Sequence, residues 1–114
     1  MSDSTDGLLR RNWFHVLTAL AAAERHGSAI ARDVLEHTDG DLRLWPATLY
    51  RTLDDMVSAG LIEEAPDAAR PEDASARARY YRATSRGRRE LAEAAERMAA
   101  LAGTARQRLR RTTS

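Results

Sequence analysis

Cysteine and lysine are absent from this chain, and proline and aromatic residues are rare. Without cysteine there is no disulfide, no thiol nucleophile and no thiolate ligand for a metal ion. No apolar run is long enough to cross a membrane, and the N-terminal residues are too polar for a signal peptide. The histidines, His15, His26 and His37, stand apart in the sequence and lack the spacing of a metal site. We therefore expect a cytoplasmic protein with no cofactor, metal ion or membrane partner.

The composition favours one small, mainly helical domain. The chain has 114 residues, of which 43% are apolar but only 5% aromatic. Alanine fills 22 positions, and alanine favours helix over sheet. No Ser-His-Asp grouping, paired-carboxylate motif or glycine-rich phosphate loop is present, so the sequence gives no indication of an enzyme.

Charge is distributed unevenly along the chain. The formal net charge is only +1, but residues 76–114 carry 11 arginines against 3 acidic residues. The rest of the chain is acidic on balance. This asymmetry favours an anionic partner that meets the C-terminal third, although a solvated basic helix face would give the same pattern.

Helical spacing of apolar residues predicts three helices in the first half of the chain. The first helix is expected to end near Arg25, because Gly27 breaks the pattern. Ser28 is the expected N-cap of the second helix. The third helix is expected to begin at Pro46, whose missing N–H group is harmless in a first turn, and to stop at Gly60.

The pattern after the third helix predicts a β-hairpin and a long last helix. The strands are expected at residues 61–64 and 79–83, and Thr84 is the expected N-cap of the last helix. This order predicts a mainly α fold with a small β-hairpin. The predicted architecture is a winged helix-turn-helix domain over residues 6–84 followed by a C-terminal dimerisation helix over residues 85–111.

The last helix carries a narrow apolar seam of the coiled-coil type. On a monomer this seam would be exposed, so it predicts a homodimer. The predicted dimerisation residues are Leu91, Ala94, Met98, Leu101 and Ala105.

Several segments resemble the PadR family of bacterial transcriptional regulators, in its short form with a single C-terminal helix. The matching segments, in order, are Arg25-His26-Gly27, Pro46-Ala47-Thr48-Leu49-Tyr50-Arg51-Thr52-Leu53, Gly60-Leu61-Ile62, Arg79-Tyr80-Tyr81-Arg82-Ala83-Thr84 and Ser85-Arg86-Gly87-Arg88-Arg89. The resemblance implies a homodimer that binds a promoter operator in double-stranded DNA, usually represses transcription, and often releases DNA when a small aromatic ligand binds. The chain departs from the family pattern at Trp45, where a small capping residue is usual, and at Ser28, where an aromatic residue is usual. It also departs at Asp54 and Asp55, where basic residues are common.

The third helix is the predicted DNA-reading element, because an α-helix fits the major groove and its N-terminal residues reach base edges. Its apolar stripe leaves Thr48, Arg51 and Thr52 facing away from the core. The predicted β-hairpin is the wing of this fold, and its C-terminal side is expected to contact phosphates. The predicted DNA contacts are Ala47, Thr48, Tyr50, Arg51, Arg77 and Arg79. The alternative interpretation is an ordinary amphipathic helix with Tyr50 at the edge of the core.

Two further hypotheses concern partners. Trp13 and Met98 could line a pocket for a flat aromatic effector between two subunits, although Trp13 also fits ordinary core or dimer packing. A ligand carrier or drug-binding dimer is a third possible function. The main competing function is a protein-interaction module that keeps the winged-helix fold but does not bind DNA. The acidic pair Asp54 and Asp55 on the third helix favours that alternative.

Overall fold

The computed structural model describes residues 9–68 and 78–112, and within these ranges it contains four helices and a small sheet. The helices are α1 (Arg11–Ala22), α2 (Gly27–His37), α3 (Pro46–Ser58) and α4 (Ser85–Thr112). The strands are β1 (Arg25–His26), β2 (Ile62–Glu64) and β3 (Tyr80–Ala83). This order is the winged-helix fold with a long final helix that the sequence predicts.

The sheet has one strand more than the predicted hairpin. The strand β3 lies in the centre and pairs antiparallel with β2 on one side and with β1 on the other. In the register of the second pair, Arg25 faces Tyr81. The expected end of the first helix near Arg25 is wrong, because α1 ends at Ala22 and the chain then continues in extended form into β1, which pairs with β3. The Arg25 side chain supports this connection, since its Nε donates to the carbonyl oxygen of Ala19 at 2.9 Å.

Local signals fix the starts of three helices. The N-cap of α2 is His26 rather than Ser28, and its Nδ1 accepts a hydrogen bond from the Ala29 amide at 3.3 Å. The predicted N-cap of α4 is confirmed, because the Thr84 hydroxyl accepts from the Gly87 amide at 3.0 Å. Helix α3 begins at Pro46, as expected.

The core lies between the first three helices and the inner face of the sheet. It holds α3 in place because the buried side of that helix enters it. The buried residues of the main cluster are Val16, Leu17, Ala19, Leu20, Ile30, Val34, Leu44, Leu49, Leu53, Met56, Leu61, Ile62 and Tyr81. Tyr80 points to the other face of β3, where it packs with Ala65 and Ala68.

The first turns of α4 approach the wing very closely. A Cβ atom added at Gly87 would lie only 2.1 Å from the carbonyl oxygen of Leu61. Glycine is therefore the residue that allows this contact. Beyond it, Leu91 packs against the main core. The proximal part of α4 is thus joined to the winged-helix body.

Candidate nucleic-acid interface

The exposed face of α3 carries most of the residues predicted to contact DNA. Ala47, Thr48, Tyr50 and Arg51 are all exposed. The prediction for Thr52 is wrong, because this residue is only 6% exposed. Helical geometry explains its burial: Thr52 lies one turn from both Leu49 and Met56, and the core covers a wider face of α3 than the apolar stripe indicated.

Tyr50 is positioned by a glycine at the start of α2. A Cβ atom added at Gly27 would lie 2.9 Å from both the Cε1 atom and the hydroxyl oxygen of Tyr50. The tyrosine ring therefore rests against the backbone of α2, and a larger residue at position 27 would displace it. Sequence reasoning missed this contact, because nothing local connects the two positions.

A cleft joins the exposed face of α3 to the base of the wing. It has a volume of about 450 Å³ and is lined by His26, Gly27, Ser28, Tyr50, Asp54, Ala78, Arg79 and Tyr81. Tyr50 and Arg79, which were predicted from separate elements, thus belong to one continuous surface. Arg77 lies outside the described residues.

Arg79 is exposed and only loosely held. Among the described residues, a carboxylate oxygen of Glu64 pairs with its guanidinium at 3.9 Å. Burial raises the pKa of Tyr81 above its usual value, and the nearby Arg79 guanidinium opposes that shift. An exposed ion pair of this length is weak, so Arg79 can exchange it for a phosphate.

Arg82, by contrast, is neutralised within the chain. Its guanidinium lies within 3.0–3.1 Å of carboxylate oxygens from Glu24, Glu63 and Asp67. These acids come from the α1–β1 connection, from β2 and from the segment after β2. Part of the basic excess in the C-terminal third is therefore used to tie the wing to the helical body.

The predicted seam of α4 divides into a covered part and an exposed part. Leu91 is partly buried against the core, and Ala94 is only 5% exposed. The expectation that the whole seam is exposed on a single chain is therefore wrong at these two residues, because α1 packs against the first turns of α4. Met98 and Leu101 are 53% and 67% exposed, and Ala105 is exposed too.

The hypothetical aromatic-ligand residues have different surroundings. Trp13 is partly buried, packs against the main core and lies under the Arg10 guanidinium, 4.8 Å from the ring centroid. Met98 is exposed on α4. Neither residue lines the cleft beside α3.

Two histidines that are distant in the sequence meet in the fold. His15 Nδ1 on α1 and His37 Nε2 on α2 are 2.9 Å apart, and His37 Nδ1 is 3.0 Å from an Asp33 carboxylate oxygen. Burial and the neighbouring His37 lower the pKa of His15. Across residues 9–68 and 78–112, no group of three or more acidic, histidine or cysteine side chains is placed to hold a metal ion. None of the helices within those ranges is long and apolar enough to cross a membrane.

The relation to known proteins agrees with this geometry. The model of the transcriptional regulator PadR-like family matches residues 16–93. The chain belongs to the PadR-like family. The match begins in the middle of α1 and covers α2, α3, the sheet and the packed start of α4, so this PadR-like protein is a transcriptional regulator with a winged-helix fold.

Solved structures show the same fold. The PadR-like regulator from Bacillus cereus is 18% identical with a TM-score of 0.70, over 95% of this chain and 97% of that one. RosR from H. salinarum is 27% identical with a TM-score of 0.64, over 84% of this chain and 77% of that one. The transcriptional repressor CouR, bound to a 23-mer DNA duplex, is 26% identical with a TM-score of 0.59, over 82% of this chain and 57% of that one. No curated protein sequence matches the chain.

Proposed function

We propose that this PadR-like protein is a homodimeric repressor that binds an operator in double-stranded DNA. The observation that carries the proposal is that Tyr50 of α3 and Arg79 of the wing line one cleft, on a helix whose Thr48 and Arg51 are also exposed. The likeness to the DNA-bound repressor CouR supports it.

The residues of this surface have different proposed roles. Thr48 and Arg51 lie in the first two turns of α3, where a helix in the major groove reaches base edges. Ala47 packs against the groove wall, and the Tyr50 hydroxyl reaches a phosphate. Arg79, together with Arg77, contacts the DNA backbone from the wing, as a loosely paired guanidinium does.

The distal part of α4 is the proposed dimer interface. Met98, Leu101 and Ala105 lie on one side of that helix, and the exposed Leu109 continues the same side. A second copy would cover this apolar strip by a two-fold symmetric contact. The inward residues Leu91 and Ala94 support the interface by fixing α4 to the body.

A small aromatic effector is the second part of the proposal. Trp13 offers a partly buried ring, and Met98 lies on the proposed interface helix, so a ligand held between them would bias the spacing of the two α3 helices. Aromatic compounds that bind there should quench tryptophan fluorescence, and Trp13→Ala should abolish the quenching. Quenching that survives Trp13→Ala would contradict the assignment.

Two arginine variants test the DNA-binding proposal. Binding is measured on a random duplex and on an operator selected with the parent protein, at several salt concentrations. Arg51→Ala should cost about 1–3 kcal/mol on the operator and relax sequence preference. Arg79→Ala should weaken binding to both duplexes equally. It should also lower the salt slope, the slope of log binding constant against log salt concentration, by about one. Arg106→Ala, which removes an exposed arginine from the far part of α4, is the control.

The outcomes separate two functions. If both variants bind like the parent while remaining folded, the DNA-reading surface lies elsewhere. If the parent binds no duplex even at low salt, the protein-interaction module is the better function. The exposed Asp54 and Asp55 on α3 are the specific observation that favours that module, because they would repel phosphates.

A further inference from the structure

Trp45, directly before α3, contributes neither a capping hydrogen bond nor a well-buried side chain to the fold. It is the N-cap of the helix, but its side chain forms no capping hydrogen bond. Serine, threonine, asparagine or aspartate would satisfy a free amide at this position. The indole is also 64% exposed, so it gains little from burial. A residue with neither a capping nor a packing role invites a functional explanation.

The exposed indole is held on a rigid base. The preceding residue, Leu44, is buried in the main core. The following residue, Pro46, has a ring that fixes its backbone φ angle. The Trp45 carbonyl oxygen accepts the first helical hydrogen bond, from the Leu49 amide at 2.8 Å. Binding of a partner to this ring therefore costs little conformational entropy, because the backbone beneath the ring is already ordered.

Arg43 gives the indole a positive charge. Its guanidinium carbon lies 5.1 Å from the centroid of the Trp45 ring, in cation–π range. Within the part of the chain that the structure describes, no carboxylate is in ion-pair distance of Arg43. The pair thus presents a flat apolar surface next to an uncompensated cation. It stands in the chain just before the exposed Ala47 and Thr48 at the start of α3.

We propose that Arg43 and Trp45 form a clamp on one strand of the DNA backbone, at the edge of the groove that α3 enters. Arg43 binds a phosphate, and the indole covers the adjacent deoxyribose. The combination of an apolar plate and a cation matches the alternation of sugar and phosphate along a strand. The clamp lies before the first turn of α3, so it meets the backbone rather than base edges. This inference rests on the proposed DNA-binding function.

Fluorescence gives a direct test, because Trp13 and Trp45 are the two tryptophans of the chain. In Trp13→Phe, Trp45 is the sole tryptophan, and its emission should change as a random-sequence duplex is added. In Trp45→Phe, Trp13 reports instead and should change little. Binding of the same duplex is followed independently by the anisotropy of a dye on the DNA.

Affinity measurements separate the two members of the clamp. Trp45→Ser should weaken binding to operator and random duplex alike by about tenfold, because the lost contact is apolar and sequence-independent. It should raise the melting temperature, since serine can cap α3. Arg43→Ala should lower the salt slope by about one. Val57→Ala, which shortens an exposed apolar side chain at the other end of α3, should leave binding unchanged.

The outcomes are distinct. The clamp is overturned if the dye shows duplex binding while Trp45 emission stays constant and Trp45→Ser binds like the parent. It is also wrong if Trp45→Ser loses affinity for the operator alone, since the indole would then read bases. If the parent binds no duplex at any salt, the DNA-binding function and the clamp fail together.

Discussion

The two halves of α4 have the same kind of sequence but opposite surroundings. The proximal half packs on the winged-helix body through Gly87, Leu91 and Ala94. The distal half exposes Met98 and Leu101. A single apolar periodicity thus supports two tasks, folding of one chain and proposed association of two. The apolar seam in the sequence therefore does not indicate where packing within one chain ends and contact with a partner chain begins.

The strongest test of this difference is to add one carbon atom to the proximal half of α4. Gly87→Ala should destabilise the chain by about 3 kcal/mol or more, because the new Cβ would collide with the Leu61 carbonyl oxygen and backbone must shift. Chemical denaturation measures the free energy of unfolding. A variant as stable as the parent would show that α4 does not pack so closely on the wing.

A charge in the distal half should act on association alone. Leu101→Lys should raise the dimer dissociation constant at least about 100-fold, because a lysine would be buried between two chains. Its far-UV circular dichroism should match that of the parent, since Leu101 is exposed on one chain. Sedimentation velocity measures the shift from dimer to monomer.

The control for this prediction is Ala100→Lys. Ala100 is exposed on the opposite side of α4, so the same new charge should leave the dimer intact. If both variants dissociate equally, or if neither does, the interface is not where we have placed it.

Replacing a second glycine, in the distal half of α4, should change the free energy of unfolding by a smaller amount and in the opposite direction. A Cβ atom added at Gly103 meets nothing within 4 Å. Gly103→Ala should therefore stabilise the chain by roughly 0.5–1 kcal/mol, the difference in helix propensity. Thermal unfolding measured beside Gly87→Ala checks the contrast. Destabilisation by Gly103→Ala would mean that this side of α4 is covered.

The smallest expected effect is a pH dependence of the stability of the winged-helix body. The pKa of His15 is lowered in the folded state, so the unfolded chain binds the proton more readily. The contribution to stability is present above the ordinary histidine pKa of 6.5 and is lost as the pH falls below it. Because the ring is partly solvated, we expect less than about 1 kcal/mol.

Denaturation at pH 7.5 and 5.5 measures this effect, and His15→Asn should reduce it. The distal half of α4 contains no histidine, so dimer dissociation should not change over the same range. An equal pH effect on unfolding in His15→Asn and in the parent would exclude His15 as its source.

The features predicted from the sequence were those with local causes. Pro46 starts α3 and Thr84 caps α4, because each signal acts within one turn of the chain. The burial of Thr52, the strand at Arg25 and the meeting of His15 with His37 depend on distant partners. Periodicity contains no information on such partners.

The same limit applies to the candidate interface. The exposed face of α3 followed from its apolar stripe, so most of its residues could be named from the sequence. The contact between Gly27 and Tyr50 could not, because it joins two helices through an absent side chain. The neutralisation of Arg82 by three carboxylates was equally hidden, since those acids converge only in the folded chain.

The contact of Gly27 with Tyr50 also bears on how this chain can diverge. Exposed residues of α2 can change with little consequence for α3, but a methyl group at position 27 would lie 2.9 Å from the end of the Tyr50 side chain. A descendant that gains a side chain there must move or replace Tyr50. On the proposed function, a substitution at position 27 would therefore reach the DNA-binding face through a shift of the Tyr50 ring, although position 27 itself contacts no DNA.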